Sequence, residues 1–211
     1  MGIQSTIART GKTPPQWLLE GLFIVVSVAL GFGVAQYGEH RSNRELATRV
    51  LTNLQRELEH NLALLEPMVP VHRQWVEALD KADTSDASQS GLDLYFATRP
   101  ALPKGAPSPF PFLRRSAWDA AVSGGALRLI DYDVATALSE IYRVQEISTD
   151  NVERLAKGPL SATDTFDPAR RVASVRLLWM TTLDIESAEV LLLELYRQHL
   201  PTIRAAAGRA R

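Results

Sequence analysis

Residues Trp17 to Tyr37 read WLLEGLFIVVSVALGFGVAQY, and Glu20 is the only ionisable group in that stretch before the terminal Tyr37. At about 1.5 Å per residue the stretch spans roughly 31 Å as a helix, which matches a hydrocarbon core about 30 Å thick. This one run decides the architecture. It predicts a transmembrane helix over 17–37, a short tail over 1–16, and a separate domain behind the anchor.

N-terminal to the run, Thr13 to Gln16 (TPPQ) has the form of a capping box, with Pro14 at the first helical position, where its missing N–H costs nothing. Glu20 then falls in the second turn, near the positive end of the helix dipole and close to a membrane interface, where a carboxylate is tolerated. Its competing reading is an ion pair with a basic group on a partner helix. Ser27, Gly31 and Ala35 recur every four residues, as do Ala29 and Gly33. Small residues at that spacing allow close backbone approach, so Glu20, Ser27, Gly31, Gly33 and Ala35 are the candidate helix-association residues. The alternative is the ordinary Gly and Ala content of any membrane helix.

A cleaved signal peptide competes with the anchor, because Gly33-Val34-Ala35 has the small-x-small form and Arg9 and Lys12 supply a basic start. The length of the apolar run, the early Glu20 and the helix that follows favour an uncut anchor. Arg41, Arg44, Arg49 and Arg56 on the far flank, counted literally, favour a cytoplasmic domain. A long domain can translocate regardless of charge, whereas a short tail with two basic residues is readily retained. The expected placement is the inner membrane, with the C-terminal domain in the periplasm.

Hydrophobic residues make up 45% of the chain and charged residues 22%, ordinary values for one anchored globular domain. About 170 residues remain behind the anchor, enough for a single core. The net charge of −1 argues against a nucleic-acid partner. The absence of cysteine excludes disulfides, thiolate metal ligands and cysteine nucleophiles.

From Arg41 the sequence RSNRELATRVLTNLQRELEHNLALLE keeps a helical period, with Leu46, Val50, Leu54, Leu58, Leu62 and Leu65 on one stripe. Asn61 interrupts the four-three row Ala47, Leu51, Leu54, Leu58, Asn61, Leu65, so packing into a bundle is favoured over a two-stranded coiled coil. The anchor and this helix are expected to form one rod ending near Pro67. A short helix over 71–81 precedes a loop-rich excursion over 83–114, in which five prolines fall between Pro100 and Pro111. Ser116-Ala-Trp-Asp119 has capping-box form and opens a short helix ended by Gly124-Gly125. Asp131 or Asp133 caps a further helix, and Asp167-Pro168 starts a last one running to about Leu200, followed by a basic tail over 201–211. The predicted fold class is all-α: an N-terminal transmembrane helix running into a long amphipathic helix, then a helical bundle over 38–200 with a long Pro-rich loop.

The segment LLEGLFIVVSVALGFGVAQYGEHRSNRELATRVLTNLQRELEHNLALLE resembles a bacterial domain-of-unknown-function family of single-pass membrane proteins. SAWDAAVSGGALRLIDYDVATALSEIY is similar to the second recurring block of that family, an aromatic followed by Ser-Gly, a Leu-Ile pair and a helix ending in Tyr. The likeness covers roughly 17–66 and 116–142. This chain has Gln36-Tyr37-Gly38-Glu39 where the family shows an Asn-Trp-Asn-Glu run. The resemblance implies an uncut anchor and a helical domain, and it supplies no catalytic residue.

Candidate chemistry is sparse. Glu57 and His60 form one Glu-x-x-His pair, but a ferritin-like di-iron site needs two. His40, His72 and His199 read as isolated, so no metal or cofactor is expected. Ser123 lacks a nucleophile elbow, and the acidic loop over 83–93 misses the order of a calcium loop. Phe110, Phe112 and Trp118 are the candidate partner or ligand contacts, on and beside the Pro-rich excursion. The expected function is therefore non-enzymatic: a membrane-anchored helical protein acting by association, with the lipid bilayer and either its own copies or another membrane protein as partners. A sensor-like, ligand-binding bundle of the periplasm is the alternative.

Overall fold

A computed structural model of the chain describes residues 16–106 and 108–209, with the side chains of 16–19, 34 and 35 undescribed. The tail over 1–15, the Thr13-Pro14 cap and residues 210–211 lie outside the described residues. Six α-helices follow in order among the described residues: α1 Gln16–Leu65, α2 Val69–Asp80, α3 Gly91–Ala97, α4 Ser116–Ser123, α5 Tyr132–Lys157 and α6 Arg171–Arg209. The described residues include no strand, and the fold is all-α.

The chain divides into two compact units that part between Arg44 and Glu45. The first holds a segment of α1 long and apolar enough to cross a membrane, and none of that segment is buried. Leu22, Phe23, Ile24 and Val25 are consecutive and more than half exposed, so the apolar surface runs round the whole helix rather than along one face.

The second unit is a bundle in which α6 packs along α5, α2 and α3. One hydrophobic cluster joins Leu51, Leu54 and Leu58 of α1 to Leu138 and Ile141 of α5 and to Leu192, Tyr196 and Ile203 of α6. A second cluster joins Trp75 and Leu79 of α2, Tyr95 of α3, Leu155 of α5, and Leu178 and Ile185 of α6. Helix α1 stops at Leu65, just before Pro67, and α2 starts with Pro70 in its first turn, where no N–H is required of it.

Several sequence expectations change. The buried row of α1 is the four-three series Ala47, Leu51, Leu54, Leu58, Asn61, Leu65, while Leu46 is exposed and Val50 only half buried. Asn61 does not break the seam, because it is fully buried and its amide is hydrogen-bonded. The excursion over 83–114 contains helix α3. Ser90 and Asp93 form a reciprocal capping box for it, and Gly91 lies so close to α6 that a Cβ there would fall 2.3 Å from that of Ser174. Ser116 is not a cap: the N-cap position is Arg115, whose side chain caps no helix N–H and instead pairs with Asp119. The tail expected over 201–211 is helix to Arg209. Pro201 forfeits one ladder bond, but Leu200, Ile203 and Ala207 bury completely or nearly so in the first cluster, which offsets the loss. Asp131 caps α5 as expected, and Asp167 caps the 3₁₀ turn Pro168–Arg170 that leads into α6.

Candidate functional site

The Pro-rich segment between α3 and α4 is held against the bundle by buried polar side chains from α1, α2 and α5, two of them backed by side chains of α6. On α2, His72 is fully buried. Its Nε2 donates to the carbonyl of Pro109 at 2.8 Å, since a carbonyl can only accept. Its Nδ1 lies 2.5 Å from the Glu189 carboxyl of α6, itself buried, and its ring stacks on Phe110 with centroids 5.2 Å apart. The expectation that His72 is isolated is thus overturned, because its acidic partner is 117 residues away on another helix.

Five residues further along the segment, Asn61 of α1 binds the backbone of Arg114 through both ends of its amide: Nδ2 donates to the carbonyl at 2.7 Å and Oδ1 accepts from the N–H at 2.8 Å. Gln145 of α5 donates to the same carbonyl at 2.9 Å and accepts from the Tyr196 hydroxyl at 3.1 Å. Then Glu57 of α1 closes the start of α4. Its carboxyl accepts from the Ala117 N–H at 2.8 Å, the Trp118 N–H at 3.3 Å, the Ser116 hydroxyl at 3.0 Å and the Tyr142 hydroxyl at 2.7 Å. A neighbouring helix therefore supplies the cap that α4 lacks. Burial, then the bond to Glu57, pushes the Tyr142 hydroxyl far above its ordinary pKa; burial does the same to Tyr95 and Tyr196.

These ties fix a wall. Between the segment and the corner joining α1 to α2 lies a cavity of about 340 Å³, lined mainly by apolar atoms of Leu64, Pro67, Met68, Pro103, Pro111 and Phe112. Lys104 stands at its rim.

The three expected contact residues do not form one surface. Phe110 faces inward, packed on His72 and on Trp75, while Phe112 is 88% exposed at the cavity. Trp118 lies half-buried on α4, stacked on Tyr142 with centroids 4.7 Å apart. It lines a separate open groove of about 560 Å³ with Arg115 and Arg143. In the first unit Glu20, Ser27, Gly31 and Gly33 are exposed, and a Cβ at Gly31 or Gly33 would meet nothing within 4 Å. The Ser27 hydroxyl bonds back to the Phe23 carbonyl at 2.8 Å. The side chain of Ala35 lies outside the described residues.

Glu57, Asn61, His72, Gln145 and Glu189 were not singled out as a set by sequence. A signal for three of them was present: Asn61, His72 and Glu189 each sit at a helical spacing otherwise filled by Leu, Ile or Trp. Among the described residues no group of three His, Asp or Glu side chains converges on a point that could hold a metal ion. Comparison of the chain with protein-family models, with curated proteins and with solved structures gives no match.

Proposed function

We propose that the protein is a membrane-anchored association module, held in the bacterial inner membrane by the apolar part of α1, with the helical domain on the periplasmic side. Its partner is another envelope membrane protein or further copies of itself, and its role is not enzymatic. The observation that carries this reading is the run of large apolar side chains from Leu22 to Phe32, exposed on every side of the helix. At about 25 cal/mol per Å² of apolar surface, such a helix is far more stable in lipid or against another helix than in water. The small residues Ser27, Gly31 and Gly33 open parts of that surface to close helix contact.

The test is the mass and composition of the complex that contains tagged full-length protein, extracted from its native membrane in mild detergent. A stoichiometric foreign protein or a defined homo-oligomer is expected, and Gly31→Leu with Gly33→Leu should weaken it. A bare monomer removes the association reading.

A second reading is favoured by the groove beside Trp118, whose stacked aromatic pair suits a small aromatic ligand, while Glu140 and Glu146 offset the charge of Arg115 and Arg143 in its lining. Under this sensor reading a ligand of that kind raises the thermal midpoint of the full chain. No shift across a broad screen counts against it.

A further inference from the structure

We infer that the cavity between the α1–α2 corner and the Pro-rich segment is a docking site for a protein partner. It takes an extended stretch in which an apolar or aromatic side chain stands next to an acidic one. The inference rests on the association reading above and adds the place and the chemistry of contact.

Buried polar side chains are costly unless fully paired, and helices are readily held together by apolar contacts alone. Here Asn61, His72 and Gln145 come from three different helices and bond to two backbone positions, Pro109 and Arg114, while Glu189 of a fourth helix backs the His72 ring. Those positions flank Pro111 and Phe112, which form one wall of the cavity. Phe110 and Leu113 on either side of the wall pack on the two core clusters, whereas Phe112 between them contributes almost nothing to burial and is left facing the cavity. What the arrangement achieves is a wall fixed in advance, stiffened further by its prolines, so that little conformational freedom is lost when something binds against it. The volume of about 340 Å³ fits one or two side chains rather than a folded element. Phe112, 88% exposed at the edge, offers the kind of aromatic anchor on which interfaces concentrate their binding energy.

Charge selects among possible segments. Lys104 is the one charged residue lining the cavity, and among the described residues no carboxylate lies within 4 Å of its ammonium. Glu66, beside Pro67 of the lining, is already engaged by Arg197 at 2.7 Å. A turn fixes the Lys104 backbone: the Ala106 N–H donates to the Pro103 carbonyl at 3.0 Å, and Gly105 takes a φ of +87° that other residues resist. An acidic residue on the partner therefore meets a cation carried on a fixed stretch of backbone, and a basic one meets repulsion.

The experiment uses full-length protein in nanodiscs and two fluorescent peptides, one with the core Glu-Leu-Trp-Leu and one with Lys-Leu-Trp-Leu, with empty nanodiscs as the blank. The acidic peptide is expected to bind about threefold more tightly, as for an exposed charge pair. Phe112→Ala should weaken both peptides about tenfold, the loss typical of an interface anchor. Lys104→Glu should reverse their order. Both substitutions are at exposed positions, where the expected change in stability is small. Equal binding of the two peptides, indifference to Phe112→Ala, or no binding overturns the inference. So does saturation of the cavity by a neutral aromatic such as toluene with no response to either peptide, which makes it a small-molecule cavity. A native complex that survives Phe112→Ala with Lys104→Glu sinks the cavity as the docking site and leaves the association reading standing. Absence of any complex for the unaltered protein sinks the association reading, whatever the peptides do.

Discussion

Helix α1 carries two opposite surfaces on one kind of backbone. From Leu22 to Val25 four consecutive residues are 61%, 75%, 63% and 65% exposed, so no face of that stretch is covered. From Leu51 to Leu65 the four-three row is 5% exposed or less, and the residues between are largely polar. A fully apolar helix surface is stable where the solvent itself is apolar, and an amphipathic one where half the surroundings are protein. The difference teaches that the two stretches are stabilised by different surroundings, and so should fail independently.

The largest effect comes from putting charge into each stretch in turn. Val25→Arg with Leu30→Arg costs about 2.5–3.5 kcal/mol per Arg at the centre of a spanning helix, enough together to abolish stable insertion. The protein should then leave the membrane pellet on alkaline carbonate extraction. Leu54→Arg, at a fully buried site, should do the converse: it unfolds the helical domain, seen as protease sensitivity, and leaves the chain in the pellet. If the first variant stays in the membrane, the spanning assignment of the apolar stretch fails.

Within the domain, the same helix is also the source of the α4 cap. Glu57→Ala strands the Ala117 and Trp118 N–H groups and the Tyr142 hydroxyl, and the expected loss is about 3–5 kcal/mol, the cost of breaking a buried hydrogen-bonded charged group. The neighbouring Arg56→Ala is exposed and should stay within about 0.5 kcal/mol of the parent. Urea midpoints of the two variants decide it, and similar values would mean that Glu57 is dispensable to the start of α4.

How much of this was legible in sequence follows the range of the interactions. The apolar run, the helical period of α1, the Gly124-Gly125 stop and the Asp131 cap are all set by neighbours in the chain, and each was readable. Helix α3 was also written locally, in the Ser90-x-x-Asp93 capping form, but the Ser- and Asp-rich residues before it read as loop and masked it. The C-terminal turns past Pro201 were missed because the local penalty of the proline is visible, whereas the burial of Ile203 and Ala207 that offsets it is not. The site was the least legible. Asn61, His72 and Glu189 announce themselves as polar residues in apolar rows, but their partners lie 53, 37 and 117 residues away, and no spacing rule reaches that far.

The smallest effect is the share of one tyrosine in the dependence on pH, and it sharpens the contrast between the stretches because it touches only the helical domain. Burial raises the pKa of the Tyr142, Tyr95 and Tyr196 hydroxyls above the ordinary value near 10, and at Tyr142 the carboxyl of Glu57 adds to the rise. Below about pH 10 these tyrosines are neutral in both the folded and the unfolded chain, so the stability they allow is fully present. Above it the unfolded chain releases protons that the folded chain keeps, and stability falls by about 1.4 kcal/mol per pH unit for each such group. The urea midpoint should therefore be level from pH 8 to 9.5 and decline beyond 10. Tyr142→Phe should flatten the decline by about one third, since one of three groups no longer titrates. A decline of equal steepness in that variant would show that Tyr142 ionises as readily folded as unfolded, and with it that the Glu57 contact does not hold the hydroxyl neutral.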